Sequence, residues 1–339
     1  MVTLSLLTAT VGVLLAVFVG LNAMKIGVAL GLLDHPDGAR KIHARITPLV
    51  GGLAVAGAAV FAAMLTAMAT GEMRPIGLGV AVALMFGIGA IDDRKHVPPS
   101  LRLGAAMLAL GVVIAVIPDF AVMTLRFSGI AATSVLPMVA GVGFTLLCLV
   151  GLLNAINMAD GKNGIVIGFG IVWTIVLAFH APPLLWPLLA GAGGALAVTW
   201  GFNLRGKLFL GDGGSYSLSA LYGLAAIMAY NVPGATFSAD DVALLFAIPV
   251  FDTVRLMAVR TAGGRSPLEG DRDHLHHHLY NRIGWPLGLW VYLAMIAVPN
   301  FGALIWPGTG LAWLAASLVL YVAIMAGMRI TAASGRPAE

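Results

Sequence analysis

Residues 134–164 read SVLPMVAGVGFTLLCLVGLLNAINMADGKNG. The first part is an uninterrupted apolar run without the alternation of a half-buried strand, and it is long enough to cross a bilayer as a helix. It closes in polar residues, with Asn154, Asn157, Asp160 and Asn163 recurring at every third position between Ala, Ile, Met and Gly. Residues three and four apart share a helix face, so Asn154, Asn157 and Asp160 would project together, and Gly161 and Gly164 would break or cap the helix. Carboxamides and a carboxylate at the end of a span are costly, and by default they mark a functional site. The competing reading is a set of ordinary helix-end groups meeting water.

The rest of the chain has the same character. Of 339 residues 60% are hydrophobic and 10% charged, and mean hydropathy is +0.97. That balance excludes a water-soluble domain. In hydrocarbon every backbone polar group must be satisfied internally, and apolar runs of about 20 residues select helices over a barrel. The expected fold is therefore all-α, a polytopic integral membrane protein forming a single domain over residues 1–339. Its eleven apolar segments lie near 2–30, 48–70, 75–91, 103–118, 134–157, 164–180, 183–201, 214–230, 240–258, 287–306 and 309–328. The first lacks a basic leader and is too long for a cleavable signal, so it reads as a span. The single Cys148 sits mid-span and rules out an internal disulfide.

Positive charge fixes the expected orientation. Loops after odd-numbered segments, together with the C-terminal tail, collect nearly all Lys and Arg, from Arg40, Lys41 and Arg45 through Arg94, Lys95, Arg102, Lys162, Arg205 and Lys207 to Arg336. The other side has only Arg74 and Arg126. By the positive-inside rule the N-terminus is outside, and the cytoplasmic loops are about 31–47, 92–102, 158–164, 202–213 and 259–286.

Each of these loops carries candidate chemistry. The first holds Arg40, Lys41, His43 and Arg45, suited to an anionic ligand or to anionic lipid headgroups. The second opens with Asp92-Asp93. Adjacent carboxylates repel in a low dielectric, so they need a divalent metal, an acidic substrate, or pairing with Arg94, Lys95 and Arg102. The fourth reads LFLGDGGS, with Asp212 among glycines just before an apolar segment. A hard oxygen ligand beside free helix N–H groups suits Mg²⁺ and phosphate, while a plain helix cap by Asp212 or Ser215 is the bland alternative. Phe209 could offer a ring face to a nucleobase. The last loop contains GDRDHLHHHL. Its histidines are spaced too tightly for a zinc site and fit polyphosphate contacts beside Arg272. Asp252 and Arg255 are one turn apart and read as an intramembrane ion pair. Gly191, Gly193 and Gly194 read as close helix packing rather than a nucleotide loop.

Taken together, Asp92-Asp93, NAINMADGKNG, LFLGDGGS and DHLHHHL in this order resemble the polyprenyl-phosphate N-acetylhexosamine-1-phosphate transferase superfamily, from about Gly31 to Gly284. The segments GLLDHP, RKIH, TPLVGG and SPLEGDRDHLHHHL are more similar to the bacterial undecaprenyl-phosphate GlcNAc-1-phosphate transferases than to the muramoyl-pentapeptide translocase. The resemblance implies an enzyme of a bacterial inner membrane with its site facing the cytoplasm. It implies transfer of GlcNAc-1-phosphate from a UDP-N-acetyl sugar to undecaprenyl phosphate, releasing UMP, as the first membrane step of an envelope polysaccharide such as O-antigen. It also implies Mg²⁺, with Mn²⁺ as an alternative, on Asn157 and Asp212. Asp92, Asp93, Asp160, His274, His276 and His277 would serve the reaction. Lys41, His43, Asn154, Asn163, Phe209 and Arg272 would contact the nucleotide sugar, with Phe209 and Asn163 at uracil. No nucleic-acid partner is implied, and a homodimer is compatible with the reading.

Three positions depart from the pattern. Asn163 stands where many bacterial members have Asp, His96 stands where some have a third Asp, and Lys162 adds charge beside Asp160. Two other readings compete: the same reaction on an N-acetylfucosamine, N-acetylquinovosamine or muramoyl-pentapeptide donor, and a secondary transporter of an anionic solute. A transporter would place its polar groups near the midplane between related halves; here they fall at helix ends, and no internal repeat is visible.

Overall fold

The structure is a computed structural model and describes residues 1–36, 45–267 and 273–333, with side chains to residue 328. The chain is 77% helical. In order, the helices are α1 Val2–Leu21, α2 Ala23–Leu30, α3 Gly51–Thr70, α4 Met73–Lys95, α5 Pro99–Val116, α6 Met138–Ala159 and α7 Ile165–His180. They continue as α8 Trp186–Leu204, α9 Gly211–Tyr230, α10 Ala239–Leu245, α11 Ala247–Ala262, α12 Leu275–Ile283, α13 Leu287–Ile305 and α14 Gly310–Ala333. Two antiparallel pairs of short strands complete it, β1 Leu33–Asp34 with β2 Thr47–Pro48 and β3 Thr124–Arg126 with β4 Thr133–Val135.

All eleven apolar segments are helical. Among the described residues eight helices are long and apolar enough to cross a membrane, and α10 with α11, bent by 75°, makes a ninth if the pair is one span. Of the other two, α7 has only 16 residues. In α9 the apolar content is diluted by Ser215, Tyr216, Ser217, Ser219 and Tyr222. The physical reason is its position: every residue of α9 from Gly213 to Tyr230 is buried. Sheathed by α3, α4, α6 and α7, it meets protein instead of lipid, and its hydroxyls find partners there. Ser219 donates to the carbonyl of Ser215 at 2.7 Å and the Tyr222 hydroxyl lies 2.6 Å from Thr174 Oγ1.

Lipid supplies no hydrophobic drive between apolar helices, so close approach rests on small residues. A Cβ on Gly12 of α1 would lie 2.1 Å from the Gly191 carbonyl of α8. Gly191 and Gly194 both face α1, which bears out the packing reading of those glycines. Beside α9 the core includes Trp173, whose ring meets Phe169, Tyr222 and Phe246 at centroid distances of 5.6, 5.5 and 5.0 Å.

The bundle has two distinct ends. One gathers the C-termini of α4 and α6, the N-termini of α5 and α9, and α12. The other carries the β3–β4 hairpin, tied to α9 by the Tyr230 hydroxyl donating to Thr124 O at 2.8 Å and to α10 by Ser128 N donating to Asp240 at 2.8 Å. Arg126 and Arg74 both lie at this second end. Arg126 donates to Ala235 O at 3.0 Å and Arg74 pairs with Asp119 at 3.7 Å. The loops are shorter than their sequence boundaries suggest. Asp92 to Lys95 still belong to α4, residues 202–204 still belong to α8, and residues 275–283 within the last loop form α12.

Candidate active site

Asp92 and Asp93 sit in the last turn of α4 and point two ways. Asp92 is buried and accepts from Val97 N at 2.8 Å, Arg102 Nη1 at 2.7 Å and the Tyr216 hydroxyl at 3.1 Å. Of the cations weighed as its partner, Arg102 is the one that pairs with it. Asp93 reaches the first turn of α9, where its carboxylate accepts from Asp212 N at 3.0 Å and Gly213 N at 3.1 Å. Two of the orphan donors of α9 are thus satisfied across helices by Asp93, and neither Asp212 nor Ser215 caps its own helix. Asp212 is left to face α6, where Asn157 Nδ2 donates to its Oδ1 at 2.6 Å and to Ser215 Oγ at 3.3 Å.

The Asp93 carboxylate therefore meets a backbone N–H 119 residues away in sequence. Asp212 is also close enough to Asp92 and Asp93 for their charges to act on it. Three carboxylates share this corner, and among the described residues Arg102 is the only Lys or Arg paired with any of them. Such an excess of hard oxygen donors suits a cation. No group of three or more His, Cys, Asp or Glu among the described residues is arranged to hold a metal alone. The residues fit Mg²⁺ in its usual manner, with one or two protein oxygens and the remainder from substrate phosphates and water.

α6 ends at Ala159, so Asp160 is its C-cap residue, and Asp160 N donates to Asn157 O at 3.2 Å. Asn154, one turn deeper, is buried and donates to Met158 Sδ at 3.2 Å, apart from the carboxylates. Asp160 begins the loop to α7, where burial, followed by the charge of Asp93, pushes its carboxyl up to about 7. Between its ordinary value and pH 7 the folded state holds a proton that the unfolded state releases, so this group's contribution to stability falls as pH rises through that window. Asp160→Asn, permanently neutral, should raise Tm at pH 8 and leave it near that of the unsubstituted protein at pH 4. Thermal melts in detergent at the two values test this, and an equal shift at both would refute it.

The histidine segment abuts the same loop. Asp252 Oδ2 lies 3.2 Å from His274 Nδ1, and Oδ1 accepts from Arg255 at 3.0 Å and from the Tyr321 hydroxyl at 2.8 Å. The expected Asp252–Arg255 pair is present, extended by Arg255 to Asp273 at 2.7 Å and by His278 to Asp273 at 2.7 Å. His274 and His278 are anchored by these acids. His276 is buried, with no hydrogen-bond partner for either ring nitrogen among the described residues, and it lies against Gly161, where a Cβ would sit 2.2 Å from the His276 Nε2. Burial, then His277 and His274, hold its imidazole well below the usual range. The His277 ring is 4.3 Å from that of His276.

Phe209 is held at the same end by its backbone, its N donating to Pro48 O and its carbonyl accepting from Gly51 N, both at 2.9 Å. Asn163 accepts through its carbonyl from Trp285 Nε1 at 3.3 Å. Lys41, His43 and Arg272 lie outside the described residues. Sequence reasoning missed Tyr216, Tyr321 and Trp285. Tyr216 sits one turn after Asp212, a spacing that could have drawn attention to it, whereas nothing in the sequence connects Tyr321 to Asp252.

The profile of glycosyl transferase family 4 matches residues 75–230, which spans α4 to α9. The chain is 30% identical over 284 residues to the undecaprenyl-phosphate alpha-N-acetylglucosaminyl 1-phosphate transferase of Yersinia pestis, covering 75% of this chain and 71% of that protein. It is 29% identical over 287 residues to the decaprenyl-phosphate N-acetylglucosaminephosphotransferase of Mycolicibacterium smegmatis, covering 75% and 70%. Against the probable undecaprenyl-phosphate N-acetylglucosaminyl 1-phosphate transferase of Bacillus subtilis the identity is 27% over 271 residues, with coverage of 75% and 71%.

Proposed function

The chain belongs to glycosyl transferase family 4, and from that membership we propose that it transfers N-acetylglucosamine-1-phosphate from UDP-N-acetylglucosamine to undecaprenyl phosphate. The observation that carries the reading is the meeting of α4, α6 and α9 through Asp93, Asn157 and Asp212 at one end of the bundle. That end bears most of the Lys and Arg and so faces the cytoplasm of a bacterial inner membrane. The acceptor is confined to lipid and the donor to water, so their phosphates can meet only at such an interface. Polar groups at helix ends also disfavour the transporter reading.

In the reaction an oxygen of the lipid phosphate forms a bond to the β-phosphorus of the donor. The bond from that phosphorus to the bridging oxygen breaks, and UMP leaves with the electron pair. Catalysis of this kind rests on positioning and charge. Mg²⁺ held by Asp212 and Asn157 would offset charge on the donor pyrophosphate. A phosphate monoester loses its second proton at a pKa of about 6, so the nucleophile is largely dianionic at neutral pH and needs orientation more than a base. Asp92 and Asp93 serve here by fixing Arg102, Tyr216 and the start of α9. The unpartnered nitrogens of His276, whose burial without a bond costs about 1–3 kcal/mol, are suited to donor phosphate or sugar oxygens.

The test is UMP release by the purified protein with undecaprenyl phosphate and a panel of UDP-N-acetyl sugars. Release with UDP-N-acetylglucosamine above the fucosamine, quinovosamine and muramoyl-pentapeptide donors supports the assignment. No release with any donor overturns it. Within the same assay, Phe209→Ala should raise KM for the nucleotide about tenfold with little change in kcat, because base stacking, worth about 1–3 kcal/mol, is uniform binding. An unchanged KM would remove Phe209 from the nucleotide site.

A further inference from the structure

Three consecutive residues of the loop after Asp160 are gripped by one segment. Gly161 lies under the His276 ring. Lys162 Nζ stands 3.6 Å from the centroid of the Tyr280 ring, and Asn163 O accepts from Trp285 Nε1 at 3.3 Å. The loop has further ties, with Gly161 N donating to Ala159 O at 2.8 Å, Gly164 N donating to Asn203 Oδ1 of α8 at 2.7 Å and Gly164 O accepting from Trp200 Nε1 of α8 at 3.0 Å. His276 and Tyr280 are four residues apart and so project from one face of α12. An ammonium over an aromatic face is attracted by the ring quadrupole, and here the two partners come from the two loops that flank the proposed donor site.

We propose that Lys162 and Tyr280 are positioning residues, a clasp that holds the 160–164 loop against α12 and thereby sets the affinity for the nucleotide sugar. The effect on affinity rests on the transferase reading above, whereas the clasp itself does not. Neither side chain needs to touch the reacting atoms. The clasp fixes where the loop presents Asp160 and Asn163 relative to His276.

Hydrogen exchange and kinetics on the full chain in lipid nanodiscs test this together. Tyr280→Leu and Lys162→Met should speed exchange at the Gly161 and Gly164 amides by about two- to fivefold, the scale of one exposed cation–π contact. Tyr280→Phe keeps the ring face and should exchange as the unsubstituted protein does. In the UMP assay the first two should raise KM for UDP-N-acetylglucosamine by a similar factor and leave KM for undecaprenyl phosphate unchanged. A general loss of folded protein would instead lower apparent kcat and move neither KM. Unchanged exchange in both Tyr280→Leu and Lys162→Met, or Tyr280→Phe matching Tyr280→Leu, overturns the clasp. If the unsubstituted protein releases no UMP, the transferase reading fails while the exchange contrast still decides the clasp.

Discussion

Asp212→Asn should lower turnover by about a hundredfold or more, the scale of losing one preorganised electrostatic contact. The substitution is nearly isosteric. The backbone N–H of residue 212 keeps its bond to Asp93, and a carboxamide oxygen can still accept from Asn157 Nδ2. What disappears is one negative charge from a corner where Asp92, Asp93 and Asp212 crowd around a single paired guanidinium. Removing like charge relieves repulsion in the resting protein. Tm without added Mg²⁺ should therefore hold or rise while activity collapses, and stabilisation by Mg²⁺ should shrink. The measurement is kcat from UMP release across a Mg²⁺ titration, paired with melts with and without the ion. Near-normal turnover with unchanged Mg²⁺ dependence would sink the assignment of Asp212 as a metal ligand.

The pattern behind these expectations was legible to different depths along the chain. Apolar runs such as 138–159 show themselves because hydrocarbon demands about 20 residues of helix. The location of the site at one end of the bundle could likewise be read from Lys and Arg asymmetry. Residue types at the site were legible too, since Asp212 among glycines and the Asn157 repeat are expensive in a membrane unless used. What could not be read was direction. Adjacent in sequence, Asp92 and Asp93 look interchangeable, yet one locks Arg102 and Tyr216 while the other caps α9. That division depends on how α4 is rotated against α9, which short-range spacing does not encode. The same holds for Tyr321 on Asp252, 69 residues away, and for Lys162 on Tyr280. The bend between α10 and α11 has one short-range signal, Pro249, which removes the helical bond to the carbonyl of Leu245, the last residue of α10; that carbonyl accepts from Trp173 Nε1 at 2.7 Å instead. The dilution of α9 by hydroxyls was visible, but reading it as shielding from lipid required knowing its neighbours.

The contact between α4 and α9 yields the second large effect, and it comes from a residue with no chemistry of its own. A Cβ on Gly89 would lie 2.3 Å from the carbonyl oxygen of Asp212 and 2.5 Å from Gly213 N. Those are backbone atoms at the start of α9, so no side-chain rotation can relieve the clash. One helix must move. Gly89→Ala should then push the α9 N-terminus away from Asp93, opening the two hydrogen bonds that fix Asp212. Overpacking of this kind costs about 1–3 kcal/mol, and a displacement of about 1 Å at reacting groups can cost about a hundredfold in rate. Gly87 provides the control, since it lies two residues earlier on the same helix and a Cβ there meets nothing within 4 Å. Gly87→Ala should keep turnover within about twofold and gain slightly in Tm, because Ala is favoured over Gly in a helix by about 1 kcal/mol. The pair of variants, compared by kcat and melting temperature, separates helix propensity from close approach. If Gly89→Ala turned over as fast as Gly87→Ala, the contact between α4 and α9 would not be what holds Asp212 in position.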